Sequence, residues 1–275
     1  MRPARPADQP DIDRFLRDRL DSSMFLLGNL RRYGPCGGTA PRAMRFWIAG
    51  DMAGVVALST EGIVMPQLPD GAGPDLARIL RGAKLRGFIG AGDQVEAARR
   101  ACGLIAAPTN LDAQERLFAR PLRGFGHDAA PGMTLAPLAA WRDTALAWRM
   151  AYHAEVLGTP ADRIAPTARA DIESCLETDS HRILLQDGRP VAMTGFNMML
   201  PEAVQVGGVY TPPELRGRHL ARTALGLHLA EAARQHPRAI LFAKSDQAIR
   251  AYRALGFRET GRFALVLFAM PESVR

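Results

Sequence analysis

Residues 208–222 read Gly208-Val209-Tyr210-Thr211-Pro212-Pro213-Glu214-Leu215-Arg216-Gly217-Arg218-His219-Leu220-Ala221-Arg222. Upstream of them, Val204, Val206, Gly208 and Tyr210 alternate with Gln205, Gly207, Val209 and Thr211, which predicts a strand over 203–210. Two glycines inside that strand predict a bulge or a close approach of backbone to a ligand. Pro212-Pro213 then stops the ladder, because proline brings no N–H. Leu220, Ala224, Leu227 and Glu231 step along a helix predicted over 220–235. The leading N–H groups of a helix lack intrahelical partners, and the helix dipole places positive potential there. With Arg216, Arg218 and Arg222 added, the turn is predicted to hold an anion of the phosphate type.

Working outward, 275 residues that are 47% hydrophobic can bury one large core or two ordinary ones. The formal charge is +7, but 33 of the 35 cations are arginine, since only Lys84 and Lys244 are lysine. Cations and anions number 18 and 14 over residues 1–130 and 17 and 14 over 131–275, so neither half is a basic tail. Nucleic-acid binding, which needs cations clustered on one face, is therefore not expected. Cys36, Cys102 and Cys175 are odd in number and widely spaced, which predicts a reducing compartment and no structural zinc. The charged start MRPARPADQPDIDRFLRDRL lacks the apolar centre of a signal peptide, and no run approaches the roughly 20 apolar residues of a membrane span. A cytoplasmic protein is the expectation.

A break falls at 121–132, where Pro121-Leu122-Arg123-Gly124-Phe125-Gly126-His127-Asp128-Ala129-Ala130-Pro131-Gly132 interrupts every period and reads as a linker. Before it, helices are predicted at 12–20, 23–32, 74–81 and 93–102, and strands at 45–49, 54–59, 62–65, 85–89 and 115–120. After it, strands are predicted at 133–135, 182–186, 190–198, 203–210, 239–243 and 262–268. Helices are predicted at 141–157, 168–177, 220–235 and 247–255. Asp187-Gly188 is the expected hairpin turn. The same order of elements occurs twice, which predicts a duplicated α/β (α+β) fold with a mixed central sheet flanked by helices. The expected domains are 1–125 and 132–275.

Arg216-Gly217-Arg218-His219-Leu220-Ala221 resembles the Q/R-x-x-G-x-G/A signature of the GNAT superfamily of acyl-CoA-dependent N-acetyltransferases. Arg216 fills the first position and Ala221 the last, whose small side chain leaves room for a diphosphate; His219 stands where the family has glycine. Asp246-Gln247-Ala248-Ile249-Arg250-Ala251-Tyr252-Arg253-Ala254-Leu255-Gly256-Phe257 is similar to the family's N-x-x-A-x-x-x-Y-x-x-x-G-F segment, with Asp246 as the expected helix cap and Gly256 as its left-handed stop. The two segments lie about 30 residues apart, separated by one helix and one strand. The resemblance is good over about 132–270; over 1–120 it rests on element order alone, which implies a degenerate GNAT-like half.

The resemblance implies acetyl-CoA, or another acyl-CoA, as co-substrate, with no metal. It places Val209, Tyr210, Thr211, Arg216, Gly217, Arg218, His219, Leu220, Ala221 and Arg222 at the coenzyme. It makes Tyr252 the acid that protonates the departing thiolate, a task suited to a phenol that is neutral at pH 7. The implied reaction is direct attack of a primary amine, on a small molecule or peptide, on the thioester. The alternatives are a non-catalytic acyl-CoA-binding regulatory module and an O-acyl or aminoacyl transferase. Glu155 and Glu202 are candidate bases, each also readable as a surface glutamate. Met193, Met198 and Met199 read as core fillers or as an acceptor pocket. Gly90-Ala91-Gly92, a G-x-G without its third glycine, reads as a tight connection or a relic of the anion turn, not as a dinucleotide site.

Overall fold

A computed structural model describes residues 1–274. The described residues form two compact units, one of residues 1–118, 242–244 and 259–274 and one of residues 119–241 and 245–258. In chain order the first unit is built from β1 (Arg2–Pro3), α1 (Gln9–Arg17), α2 (Leu20–Tyr33), β2 (Met44–Ala49), β3 (Gly54–Ser59), β4 (Ile63–Gln67), α3 (Gly73–Leu80), β5 (Lys84–Ala91), α4 (Gly92–Ala101) and β6 (Thr109–Pro121). The second is built from β7 (Met133–Pro137), α5 (Arg142–Tyr152), a single π-helical turn (His153–Leu157), α6 (Ala161–Thr178), β8 (His181–Gln186), β9 (Arg189–Leu200), β10 (Ala203–Tyr210), α7 (Leu220–Ala232), β11 (Arg238–Ala243) and α8 (Asp246–Ala254). The last strand, β12 (Arg258–Ser273), belongs mostly to the first unit.

The duplication read from the sequence is the architecture observed. Each unit runs strand, two helices, three strands, helix, strand, helix. Strand order is β1-β2-β3-β4-β5-β12-β6 in the first and β11-β10-β9-β8-β7 in the second. Each sheet is antiparallel until its fifth strand, where β5 runs parallel to β4 and β11 parallel to β10. A parallel partner requires a crossover, which α3 and α7 supply. Between Pro121 and Met133 there is neither helix nor strand.

Several details differ from the sequence reading. The two-residue β1 lies below the length at which a period is visible. The helix expected over 141–157 ends at Tyr152 and continues as the π turn. β12 hydrogen-bonds antiparallel to β5, with Phe263 opposite Ala91 and Val266 opposite Phe88, so it completes the first unit's sheet although it follows the second unit in sequence. Gly90 and Ala91 end β5 and Gly92 begins α4, at the junction that corresponds to the one between β11 and α8. Of the two readings offered for that glycine pair, topology leaves the tight connection.

The second unit's sheet is covered on both faces, and strand alternation assigns the layers. Ile183, Met193 and Tyr210 pack with Leu138, Ala145 and Ile172 beneath α5 and α6. Leu184, Val191 and Ala192 pack with Leu220 and Ala224 of α7 on the opposite face. Full burial of one such aliphatic side chain is worth about 1.5–3 kcal/mol. Met193, fully buried in the first of these layers, is core rather than pocket lining.

Candidate active site

The site is made where β10 leaves its neighbours. Its parallel pairing with β11 is limited to Val204↔Ala239 and Gln205↔Ile240, so the two strands part beyond Gln205. On the other edge the register with β9 slips between Gly207↔Gly195 and Tyr210↔Met193. This is the bulge that the paired glycines announced. Gly208 has φ +64°, and a Cβ there would stand 2.7 Å from Nε2 of the buried His181. Glycine is required on both counts.

Between β10, the turn into α7 and the start of α8 lies a cavity of about 730 Å³. The structure brings Val209, Tyr210 and Thr211 of the strand end to its wall with Arg216, Gly217 and His219 of the turn, Leu220, Ala221 and Arg222 of the first helical turn, and Tyr252 of α8. Arg218 is the predicted site residue not brought there: its Nη2 donates to Gln186 Oε1 at 3.2 Å. Thr211 Oγ1 is buried without a protein hydrogen-bond partner, a polar atom left for a ligand.

α8 positions Tyr252. The helix is capped by Ser245, whose Oγ accepts from the Ala248 N–H at 3.2 Å, so the cap is one residue earlier than the Asp246 expected. At its other end Gly256 takes φ +80° and the Phe257 N–H donates to the Tyr252 carbonyl at 3.1 Å. The half-buried Tyr252 ring meets Phe257 at 6.2 Å between centroids.

His219 is the N-cap of α7 and has φ +62°, ψ +11°. The glycine expected here is therefore a matter of backbone as well as of space, because a side chain in the left-handed region costs about 1–2 kcal/mol. Glycine gives part of that back through its freer unfolded chain. His219→Gly is expected to stabilise the second unit by about 1 kcal/mol, seen as a rise of about 2–4 °C in its melting temperature. An unchanged or lowered melting temperature would mean that the imidazole compensates for its backbone.

Three side chains that the sequence reading did not connect meet at the cavity mouth. Arg216 Nε donates to the Thr211 carbonyl at 3.0 Å and Nη2 to Glu155 Oε2 at 2.5 Å, with the guanidinium 5.7 Å above the Tyr210 ring. The Tyr210 hydroxyl donates to the other Glu155 oxygen at 3.1 Å. Hydrogen bonding from Arg216 holds the Glu155 carboxyl below its ordinary range, while burial, then Glu155, raises the Tyr210 phenol. A carboxylate so held is a weak proton acceptor at neutral pH. Glu202, the other candidate base, precedes β10 at its far end and does not line the cavity.

Glu155 is carried by the π turn, whose base is fixed. Buried His153 places Nδ1 2.9 Å from Thr159 Oγ1 and Nε2 2.9 Å from Asp171 Oδ2, and Arg149 Nε donates to the same oxygen at 2.7 Å. The signal in the sequence was a helical period running past Tyr152 into Gly158, where a π turn at a functional site is a known irregularity. Among the described residues no group of three or more His, Cys, Asp or Glu is placed to hold a metal ion.

A strand splayed from its parallel neighbour, with an arginine-rich turn opening a helix beside the gap, offers an anionic ligand backbone N–H groups and positive charge together. Residues 144–257 match the model of the Acetyltransferase (GNAT) family, and this segment belongs to the GNAT superfamily. Its class of chemistry is acyl transfer from an acyl-CoA. The fold is shared with a GCN5-related N-acetyltransferase from Kribbella flavida (18% identity, TM-score 0.57, covering 91% of this chain and 95% of that one). It is shared also with one from Sphaerobacter thermophilus (16%, 0.57, 100% and 95%). A tandem GNAT protein from the clavulanic acid biosynthesis pathway aligns at 13% identity and TM-score 0.50, over 98% of this chain and 97% of that one. No curated protein matches the chain.

Proposed function

We propose that the chain is an N-acyltransferase that moves an acyl group, in the first instance acetyl, from coenzyme A to a primary amine on a small molecule or peptide. The observation that carries this reading is the single cavity wall on which the splayed end of β10, the Arg216–Arg222 turn and Tyr252 converge. The diphosphate would lie on the leading N–H groups of α7 beside Arg216 and Arg222. The pantetheine arm would pair with the backbone of Val209 to Thr211, which β11 leaves free, and Thr211 Oγ1 would gain a partner. A strand N–H at Val209 would polarise the thioester carbonyl.

The neutral amine attacks that carbonyl and the C–S bond breaks. The departing sulfur takes the phenolic proton of Tyr252, and the proton left on the new amide nitrogen passes through water to restore the phenol. Holding both substrates in one cleft supplies much of the rate. The expected bounds 132–275 and 1–125 shift at the C-terminus, where β12 joins the first unit's sheet: the second unit is the transferase domain and the first, with β12, its degenerate copy. In the first unit, at the end of β4, the Gln94 amide occupies the backbone of Leu68 (N–H to Oε1 2.7 Å, Nε2 to carbonyl 3.0 Å), beside a cavity of about 160 Å³ lined in part by Asp70 and Asp93. Those contacts take the hydrogen bonds a pantetheine arm would use, and the aspartates repel phosphate. The three cysteines are unpaired, in keeping with the cytoplasm.

The test is thiol release from acetyl-CoA over a panel of primary amines, alcohols and buffer alone. Amine-dependent release, lost in Arg216→Gln, is expected. Release with alcohols only would move the reading to O-acyl transfer, and coenzyme binding without turnover to a regulatory module.

A further inference from the structure

Arg216 is the first residue of the anion turn, yet its charge is already taken. Glu155 reaches it from 61 positions earlier in the chain at 2.5 Å, and the other carboxylate oxygen is tied to Tyr210 at 3.1 Å. Both partners remain partly exposed at the mouth, with side-chain accessibilities of 45% and 37%, so water assists their separation. The π turn that carries Glu155 is anchored at His153, Thr159 and Asp171, whereas its tip projects Val156, 57% exposed, and Leu157, 43% exposed. The carboxylate can therefore leave Arg216 without unseating α5 or α6.

A diphosphate and a carboxylate cannot both lie against one guanidinium without repelling each other. The diphosphate brings more charge and finds the helix N-terminus and Arg222 as well, so it wins the exchange. We propose that Glu155 is a built-in competitor for the anionic end of the donor, and thereby a specificity-determining residue. It satisfies Arg216 in the free chain, yields to a diphosphate, and leaves a donor lacking phosphate facing a guanidinium already neutralised. This rests on the reading of the cavity as an acyl-CoA site.

The test is calorimetric titration of free coenzyme A into the intact chain and into Glu155→Gln, Glu155→Ala and Glu214→Gln. Each variant is first shown to melt cooperatively. Glu214 is an exposed carboxylate of the same turn that does not line the cavity, so its variant measures the general loss of negative charge. Both Glu155 variants are expected to bind coenzyme A about threefold to tenfold more tightly than the parent, and Glu214→Gln to stay within about twofold. Equal or weaker binding by the Glu155 variants, or an equal gain in Glu214→Gln, overturns the competition. Failure of all four proteins to bind coenzyme A overturns the reading of the cavity instead, and the competition with it.

Discussion

Tyr252→Phe is expected to lower kcat for acyl transfer about 100-fold while leaving KM for acyl-CoA within about threefold. The phenol sits on a short helix held at both ends, by the Ser245 cap and by Gly256 in the left-handed conformation, so its position is set by backbone. Phenylalanine keeps the ring and its contact with Phe257. Only the proton donor is removed. An interaction needed when the C–S bond breaks, but not when the thioester binds, appears in kcat rather than KM. A kcat within threefold of the parent would remove Tyr252 from the chemistry and leave it as wall.

The second unit is expected to lose stability steeply between pH 6.5 and 5. Of the histidines buried there, His181 and His228 are the two pushed well below their ordinary value. His181 lies between Ser180 Oγ at Nδ1 (2.9 Å) and Cys175 Sγ at Nε2 (3.8 Å). Burial first, then Arg149 and Arg182 against the opposing pull of Asp171, pushes it down to about 3. His228 is stacked on Phe196 at 4.0 Å with Nδ1 unpartnered, and burial, Arg182 and His181 hold it well below its ordinary value. Both folded values lie below the unfolded one of about 6.5, so the unfolded chain binds protons that the folded chain refuses. Stability is complete above pH 6.5 and falls as pH drops towards the folded values, by about 1.4 kcal/mol per pH unit for each histidine and about 2.7 for the two. That is a large part of the 5–15 kcal/mol of an ordinary domain.

Urea unfolding followed by tryptophan emission addresses this unit, since Trp141 and Trp148 lie in it and Trp47 in the other. His228→Phe preserves the stack on Phe196 and is expected to halve the slope. Stability that does not change between pH 7 and 5 would mean that the unit admits protons, or water, to these rings.

Much of the candidate site was legible because its signals are local. The strand, the proline stop, the arginine turn and the tyrosine helix each depend on residues within one or two turns of each other, where periodicity and capping decide. The same holds for the order of elements, and so for the duplication. His219 was visible as a departure, but a backbone dihedral was needed to show why glycine suits that position. Arg218 and Arg216 look equivalent in sequence; direction separates them, one turning to Gln186 on β8 and the other to the cavity.

By itself the sequence determined the repeated α/β architecture, the turn that offers N–H groups and cations to an anion, and the helix that presents Tyr252. Only the tertiary structure decided that β12 pairs with β5, that His181 fills the space Gly195 and Gly208 vacate, and that Glu155 lies against the Arg216 guanidinium. The physical reason is range. Propensities, caps and periods are properties of neighbouring residues, whereas strand register, a ring packed against a distant backbone and an ion pair across 61 positions depend on how separated segments come to share one volume.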